Sequence, residues 1–250
     1  MNNLIEQDIR TKYITPAILK AGWDVQTQLM EEVSFTDGKI YVKGKLTTRG
    51  KKNCADYILY YKSNIPIAIV EAKDAHRSVS ASIQQALVYS NILDIPFVFS
   101  SNGTGFYFHN KTINGEGIEK TLTLDSFLSP EELWTKYKVF KGIKQGAEEN
   151  IVEQDYYPDS FDRKLHYYQQ IAIYRMIEAI AKGEKRILLV MATGTGKTYT
   201  AFQIAYRLWK SGAKKRILFL ADLNALIDIA RRGDFRYFRD KMTVNKNRMT

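Results

Sequence analysis

The sequence has 250 residues, of which 45% are hydrophobic and 26% charged, an ordinary composition for one large or two modest folded domains. Its single cysteine, Cys54, excludes an internal disulfide framework and a thiolate metal cluster, which fits a reducing, cytoplasmic setting. The acids and amides of Met1–Arg10 are unlike a signal peptide, and the apolar runs are strand-sized rather than membrane-sized.

The formal net charge of +10 is unevenly spread: residues 1–150 carry 18 Lys+Arg against 17 Asp+Glu, and residues 151–250 carry 19 against 10. Such a basic excess suits a polyanionic partner, nucleic acid above all, although a solvated basic surface has the same composition.

In chain order, Ile5, Ile9, Tyr13, Pro16 and Ala17 recur near helical spacing and Gly22 follows as a stop, which predicts an amphipathic helix over 3–20. A strand-like region comes next, with Lys39, Lys43, Lys45, Arg49, Lys51 and Lys52 and no acid among them; this loop is expected to touch phosphates. Ala55–Tyr61 and Ile67–Lys73 are β-rich runs separated by Lys-Ser-Asn-Ile-Pro and read as a hairpin. Ser80–Leu93 is helical in pattern, with Ile83, Ala86, Leu87 and Ser90 on one face. Pro96–Ser101 and Gly105–His109 are two further strands around an Asn-Gly turn.

Within this first unit, Asp56 lies on one strand of the hairpin and Glu71-Ala-Lys73 ends the other. The two-residue period of a strand puts Glu71 and Lys73 on one face. Paired carboxylates at a sheet edge offer hard oxygens to Mg²⁺, and a lysine beside them can orient a nucleophile or neutralise developing charge. Gln85 and Tyr89 are four apart on the helix that follows and can point at the same place. Glu6, on the first helix, would add a carboxylate if that helix packed beside the hairpin. Taken alone, an acid-x-lysine triplet is common, and a solvated strand-end ion pair reads the same way. The histidines His76, His109 and His166 lie in three different elements without metal-ligand spacing and read as structural or surface residues.

Residues 141–160 lose periodicity and carry Gly142, Gly146 and Pro158, the pattern of a linker. Beyond them, Tyr167–Ala181 is helical, Arg186–Met191 reads as a buried strand, Thr198–Lys210 as a helix and Arg216–Ala221 as another apolar strand. This β-α-β order predicts a parallel sheet. Between the first strand and its helix stands Met191-Ala-Thr-Gly-Thr-Gly-Lys-Thr198. Gly194 and Gly196 permit tight turns that aim backbone amides at a phosphate, with Thr195 between them. Lys197 would reach the β- and γ-phosphates and the Thr198 hydroxyl would meet Mg²⁺, so the loop predicts ATP binding. The general pattern begins with glycine where this chain has Met191. Asp222 comes too soon after the loop to be the acidic motif that a motor needs for hydrolysis, and the chain stops at Thr250 before a whole nucleotide domain is complete. The chain is therefore expected to be a fragment of a longer protein, inactive as a motor by itself.

In combination these motifs resemble one family, the R (motor and nuclease) subunit of type I restriction enzymes. The resemblance runs from Glu6-Gln-Asp-Ile-Arg10, Ile14-Thr-Pro16 and Ala21-Gly-Trp23 to Asp56, Glu71-Ala-Lys73 and Gln85-x-x-x-Tyr89. It continues through Ser101-Asn-Gly103, Leu165-His-Tyr-Tyr-Gln169, the 191–198 loop and Phe219-Leu-Ala-Asp222. The resemblance implies an α/β protein: a PD-(D/E)xK nuclease domain over 1–145, a linker over 146–160, and the start of a RecA-like, superfamily 2 motor domain over 161–250. It implies Mg²⁺-dependent cutting of double-stranded DNA by Asp56, Glu71 and Lys73 with support from Gln85 and Tyr89. Glu6 would be an added metal ligand, and Gln169 would read the adenine of ATP. Modification (methyltransferase) and specificity subunits would be partners, in a cytoplasmic complex with no membrane role. His166 stands where arginine is more usual in that family, and the phosphate loop looks like a variant of the helicase form. A nuclease-helicase fusion outside restriction, a DNA-holding module that cuts nothing, and an NTPase with a regulatory front domain remain as other readings.

Overall fold

The computed structural model describes residues 5–36, 40–43, 46–49, 52–158 and 163–244, with side chains described throughout except at 40–43 and 46–49. The chain divides into two compact units, Met1–Lys144 and Gln145–Thr250.

In the first unit, α1 (Glu6–Ile9) and α2 (Thr15–Lys20) are joined without a break by a π-helical turn, Arg10–Ile14. Pro16 accounts for the widening. It has no N–H for the carbonyl four residues back, and its ring would collide with that carbonyl in a regular α-helix. The wide turn changes which side chains face inward: Ile9 and Ile14, five apart, are both fully buried, whereas Tyr13, expected on the buried face, is partly exposed.

A six-stranded sheet follows, in the order β1-β4-β5-β6-β7-β8. Its strands are β1 (Leu29–Thr36), β4 (Lys52–Tyr60), β5 (Pro66–Ala72), β6 (Phe97–Ser101), β7 (Phe106–Asn110) and β8 (Glu119–Leu122). A separate antiparallel ribbon is made by β2 (Ile40–Lys43) and β3 (Leu46–Arg49). Of the lysine-rich stretch expected to touch phosphates, Lys43 and Arg49 end these two strands and Lys52 opens β4, while Lys39, Lys45 and Lys51, and the side chains of Lys43 and Arg49, lie outside the described residues.

The central strands β5 and β6 are buried on both faces, as their continuous apolar runs require. Strand β7 alternates, burying Phe106 and Phe108 and turning Tyr107 and His109 outward. The β4–β5 hairpin is antiparallel, and β5–β6 is the parallel pair, bridged by the crossover helix α3 (Ile83–Leu93). Helix α4 (Pro130–Lys141) closes the core with Leu133, Trp134 and Tyr137, and Trp134 stacks on Tyr61 at 4.6 Å.

Gly103, in the Asn-Gly turn between β6 and β7, has φ +84°, and a Cβ placed on it would lie 3.0 Å from a methyl of Ile9. Replacing it by alanine combines left-handed strain with a collision against α1. The expected cost is roughly 1–3 kcal/mol in a urea melt, and an unchanged midpoint would contradict this packing.

The second unit departs from the expected sheet. Its regular elements are α5 (Ala147–Glu153), α6 (Tyr167–Ala181), α7 (Lys197–Lys210) and α8 (Asn224–Arg232), followed by a 3₁₀ helix over Asp234–Lys241. The segment 146–160 that reads as a linker thus begins with a helix. Neither Arg186–Met191 nor Arg216–Ala221 is a strand, because no ladder partner lies beside either among the described residues. Nor are they buried: Ile187, Leu188, Leu189 and Val190 are exposed to 38%, 86%, 37% and 82%. That alternation is the period of a strand without a sheet. The core of this unit sits instead on α7, where Tyr199, Phe202, Ala205 and Tyr206 pack against Ala230 and Phe235.

Candidate active site

The register of the β4–β5 hairpin pairs Tyr57 with Val70, so the next rung sets Asp56 opposite Glu71. Their carboxylates are held reciprocally. The Asp56 N–H donates to Glu71 Oε1 at 3.2 Å, and the Ala72 N–H donates to Asp56 Oδ2 at 2.8 Å. Lys73 follows directly; its backbone N–H donates to the Ser101 carbonyl at 2.9 Å, and its ammonium meets Glu6 of α1 at 3.4 Å.

The crossover helix completes the group. Ser82, buried at its start, donates from Oγ to the Glu71 carbonyl at 3.2 Å and ties the helix to the strand end. One turn later the Gln85 amide donates to Glu71 Oε2 at 2.8 Å and to the Tyr89 hydroxyl at 3.1 Å. Phe35 of β1 meets the Tyr89 ring edge-on, with centroids 5.1 Å apart. Asp56, Glu71, Lys73, Gln85, Tyr89 and Glu6 are therefore brought together around the interior strands β4 and β5, near the end of β5, rather than at an edge of the sheet. The three carboxylates do not form a single ligand set, since Glu6 is paired with Lys73. Among the described residues no group of three or more His, Cys, Asp or Glu side chains is placed to hold a metal ion.

Arg10 is a further member that spacing alone does not reveal. It stands at the start of the π turn and lays its guanidinium 5.0 Å over the Tyr57 ring. Its two terminal nitrogens meet Glu31 at 3.2 Å and Glu32 at 3.1 Å, and one of them lies 3.9 Å from Asp56 Oδ1. Glu32 adopts φ +52°, a conformation that a non-glycine residue holds only at a cost.

Burial governs the electrostatics. Glu71 is 1% exposed, and desolvation together with the neighbouring Asp56 pushes its carboxyl up to about 8. Desolvation also raises Asp56, with a further push from Glu6 and opposing pulls from the Ala72 N–H and Arg10. The Tyr89 hydroxyl is raised by burial and by Glu71.

A stability prediction follows for Glu71. Below its ordinary value of 4.5 both folded and unfolded chains hold the proton; between 4.5 and about 8 only the folded chain does. The folded state then binds more protons, so stability falls as pH rises through that window and levels above it. Thermal melts in chelator should show this decline, and Glu71→Gln should flatten it. A decline of equal slope in the variant would rule out Glu71 as its source.

In the second unit the 191–198 loop leads into α7, with Gly194 and Gly196 both at φ +79°. The Lys197 ammonium donates to the carbonyls of Met191 and Ala192 at 3.4 and 3.2 Å. Thr195 Oγ1 donates to the Ala192 carbonyl at 2.6 Å, and Thr198 occupies the first turn of α7. Gln169, buried in the first turn of α6, is a strut beneath the loop. Its Oε1 accepts from the His166 N–H at 2.9 Å and its Nε2 donates to the Thr195 carbonyl at 3.0 Å. A side chain on Gly196 would overlap that amide. An adenine approaching Gln169 would have to displace the bond to Thr195.

Comparison with known proteins gives consistent results. Residues 24–123 match the family described as type I restriction enzyme R protein N terminus, and residues 162–249 match type III restriction enzyme, res subunit. The chain is 51% identical over 244 residues to the Escherichia coli type I restriction enzyme EcoAI endonuclease subunit, covering 97% of this chain and 30% of that protein. It is 29% identical to the EcoKI endonuclease subunit of Escherichia coli K12, covering 90% of this chain and 23% of that one. A solved fragment of an HsdR subunit of a type I restriction enzyme from Vibrio vulnificus YJ016 superposes with a TM-score of 0.71 at 37% identity, over 84% of this chain and 39% of that one. The chain thus spans less than a third of the length of either Escherichia coli relative.

Proposed function

Because this chain belongs to the N-terminal region of the type I restriction enzyme R subunits, we propose that its first unit is the DNA-cutting part of such an enzyme. The second unit would bind ATP for the translocating motor. The observation that carries the nuclease reading is the Asp56–Glu71 rung, reciprocally bonded and flanked by Lys73 and Gln85.

The two carboxylates fit Mg²⁺. They are hard oxygen donors on adjacent strands, and the proton affinity of both is raised by burial first and by neighbouring carboxylates second, so a cation there would meet carboxylates that solvent does little to stabilise. Mg²⁺ commonly takes one or two protein carboxylates, with waters and substrate phosphate oxygens filling the other positions. When bound, it would activate water and stabilise the phosphate's developing charge.

The chain's own groups prepare this chemistry. Gln85 and the Asp56 N–H fix the two Glu71 oxygens, so the carboxylate needs no reorganisation. Lys73, freed from Glu6, can face the scissile phosphate and neutralise charge there. Tyr89 sits at the outer end of the Gln85 bond, where it can meet the DNA backbone. Glu6, now paired with Lys73, would be released if Lys73 turned to the phosphate and could then offer an oxygen to the metal.

In the second unit the Gly194–Thr198 backbone would cradle phosphates, Lys197 would exchange its carbonyl partners for the β- and γ-oxygens, and Thr198 would meet Mg²⁺. Gln169 would give up Thr195 to read adenine. The partners are double-stranded DNA and the modification and specificity subunits, in a cytoplasmic complex. Among the described residues no helix is long and apolar enough to cross a membrane.

The test uses the full-length subunit assembled with those partners on unmodified circular DNA. Cutting should need both ATP and Mg²⁺. Cutting that persists in chelator would sink the metal-dependent nuclease reading.

A further inference from the structure

We propose that Glu31 and Glu32 clamp Arg10 so that it faces Asp56 without bonding it, which keeps an Asp56 oxygen available to a divalent cation. The inference rests on the metal reading of the Asp56–Glu71 rung given above.

The distances carry it. Arg10 meets Glu31 and Glu32 at 3.2 and 3.1 Å, within hydrogen-bond reach, yet stands 3.9 Å from Asp56 Oδ1, too far for a hydrogen bond. An arginine next to a lone carboxylate would ordinarily close to a short, paired contact. Here the guanidinium lies over the Tyr57 ring, and the two glutamates draw its terminal nitrogens to the β1 side. Glu32 stands directly across from Asp56 between the paired rungs Glu31–Tyr57 and Val33–Ala55. Its left-handed backbone, φ +52°, accompanies the turn of its carboxylate toward Arg10. The Asp56 carboxylate keeps one short bond, from the Ala72 N–H to Oδ2, and its Oδ1 faces Arg10 without one.

Arg10 is thus a positioning residue. It lends positive potential to Asp56 but is restrained from occupying the place of the metal. If the clamp is loosened, the guanidinium can close on Oδ1 and compete with the cation.

The experiment is Mn²⁺ binding to this chain, read as free Mn²⁺ by electron paramagnetic resonance at fixed ionic strength. The comparison is between wild type, Asp56→Asn, and the double variant Glu31→Asp with Glu32→Asp. The double variant keeps every charge and shortens only the reach to Arg10, and aspartate tolerates the left-handed backbone better than glutamate. Both glutamates are substantially exposed, so the thermal midpoint should hold. Mn²⁺ affinity should nevertheless fall by about two- to five-fold, the factor that corresponds to a weak exposed ion pair. Adding Arg10→Met should return it to the wild-type level or above. An unchanged affinity in the double variant, or one that stays low once Arg10 is removed, overturns the clamp. If wild type binds no Mn²⁺ that Asp56→Asn abolishes, the metal reading itself fails, and the clamp with it.

Discussion

Replacing Glu71 by glutamine is expected to reduce DNA cleavage by about 10³-fold in the assembled enzyme, roughly 4 kcal/mol of lost transition-state stabilisation, while ATP turnover continues. The substitution is nearly isosteric at a buried position, so it tests chemistry more than folding. The glutamine oxygen can still accept from the Asp56 N–H, and the Gln85 amide can flip to present its oxygen to the new NH₂ group. What disappears is the negative charge that would hold the metal. The metal-free fold should become no less stable, because the variant also removes the cost of a buried carboxylate. Cleavage on unmodified circular DNA and phosphate release should be followed in the same tube. If cutting survives at more than a tenth of the wild-type rate, Glu71 does not hold the metal, and the first unit is better read as a module that grips DNA. If both activities vanish together, the substitution has disturbed the assembly rather than the chemistry.

The complementary expectation is that Lys197→Ala lowers ATP turnover on the order of 10²-fold or more and abolishes ATP-driven movement along DNA. Lys197 is exposed and, among the described residues, bonds to the carbonyls of Met191 and Ala192, which water can satisfy in its place. The loop keeps its shape through Gly194, Gly196 and the Gln169 strut, so nucleotide turnover should fall without loss of the fold. The melt of the first unit should be unaffected. A normal turnover rate would remove Lys197 from the phosphate site. Together the two variants separate the sites: one stops cutting with turnover intact, the other stops turnover with the nuclease rung intact.

Much of the first unit is legible in the sequence because its signals are local. The hairpin, the Glu-x-Lys strand end and the Gln85–Tyr89 pair follow from periods of two and of 3.6 residues. Helix α4 also has local signals, a Ser129–Glu132 capping box with Pro130 in the first turn and Gly142 in the left-handed stop. Arg10 is not legible, because its role depends on the hydrogen-bonded alignment of β1 beside β4 and on the phase of a helix that contains a π turn. The second unit shows the opposite limit. The apolar runs at 187–190 and 217–220 have the composition of strands, yet a strand exists only where a neighbour supplies hydrogen bonds, and composition cannot supply the neighbour. The phosphate loop reads clearly because the glycine positions, the lysine and the helix that follows all lie within one short stretch.

The π turn at Arg10–Ile14 also bears on how this segment tolerates insertion and deletion. A helix with one surplus residue can lose it and become a shorter, regular helix. Ile9 and Ile14 share the buried face across five residues, and removing one residue between them would leave two residues four apart, which an α-helix also sets on one face, so the phase is kept. With α2 held in the core through Ala17 and Ile18, a deletion inside the π turn would leave Glu6 and Arg10 facing the hairpin, whereas one in the regular turns of α2 would rotate both by about 100°. The length of the helix is therefore negotiable at the π turn, where a residue can be lost without a change of phase.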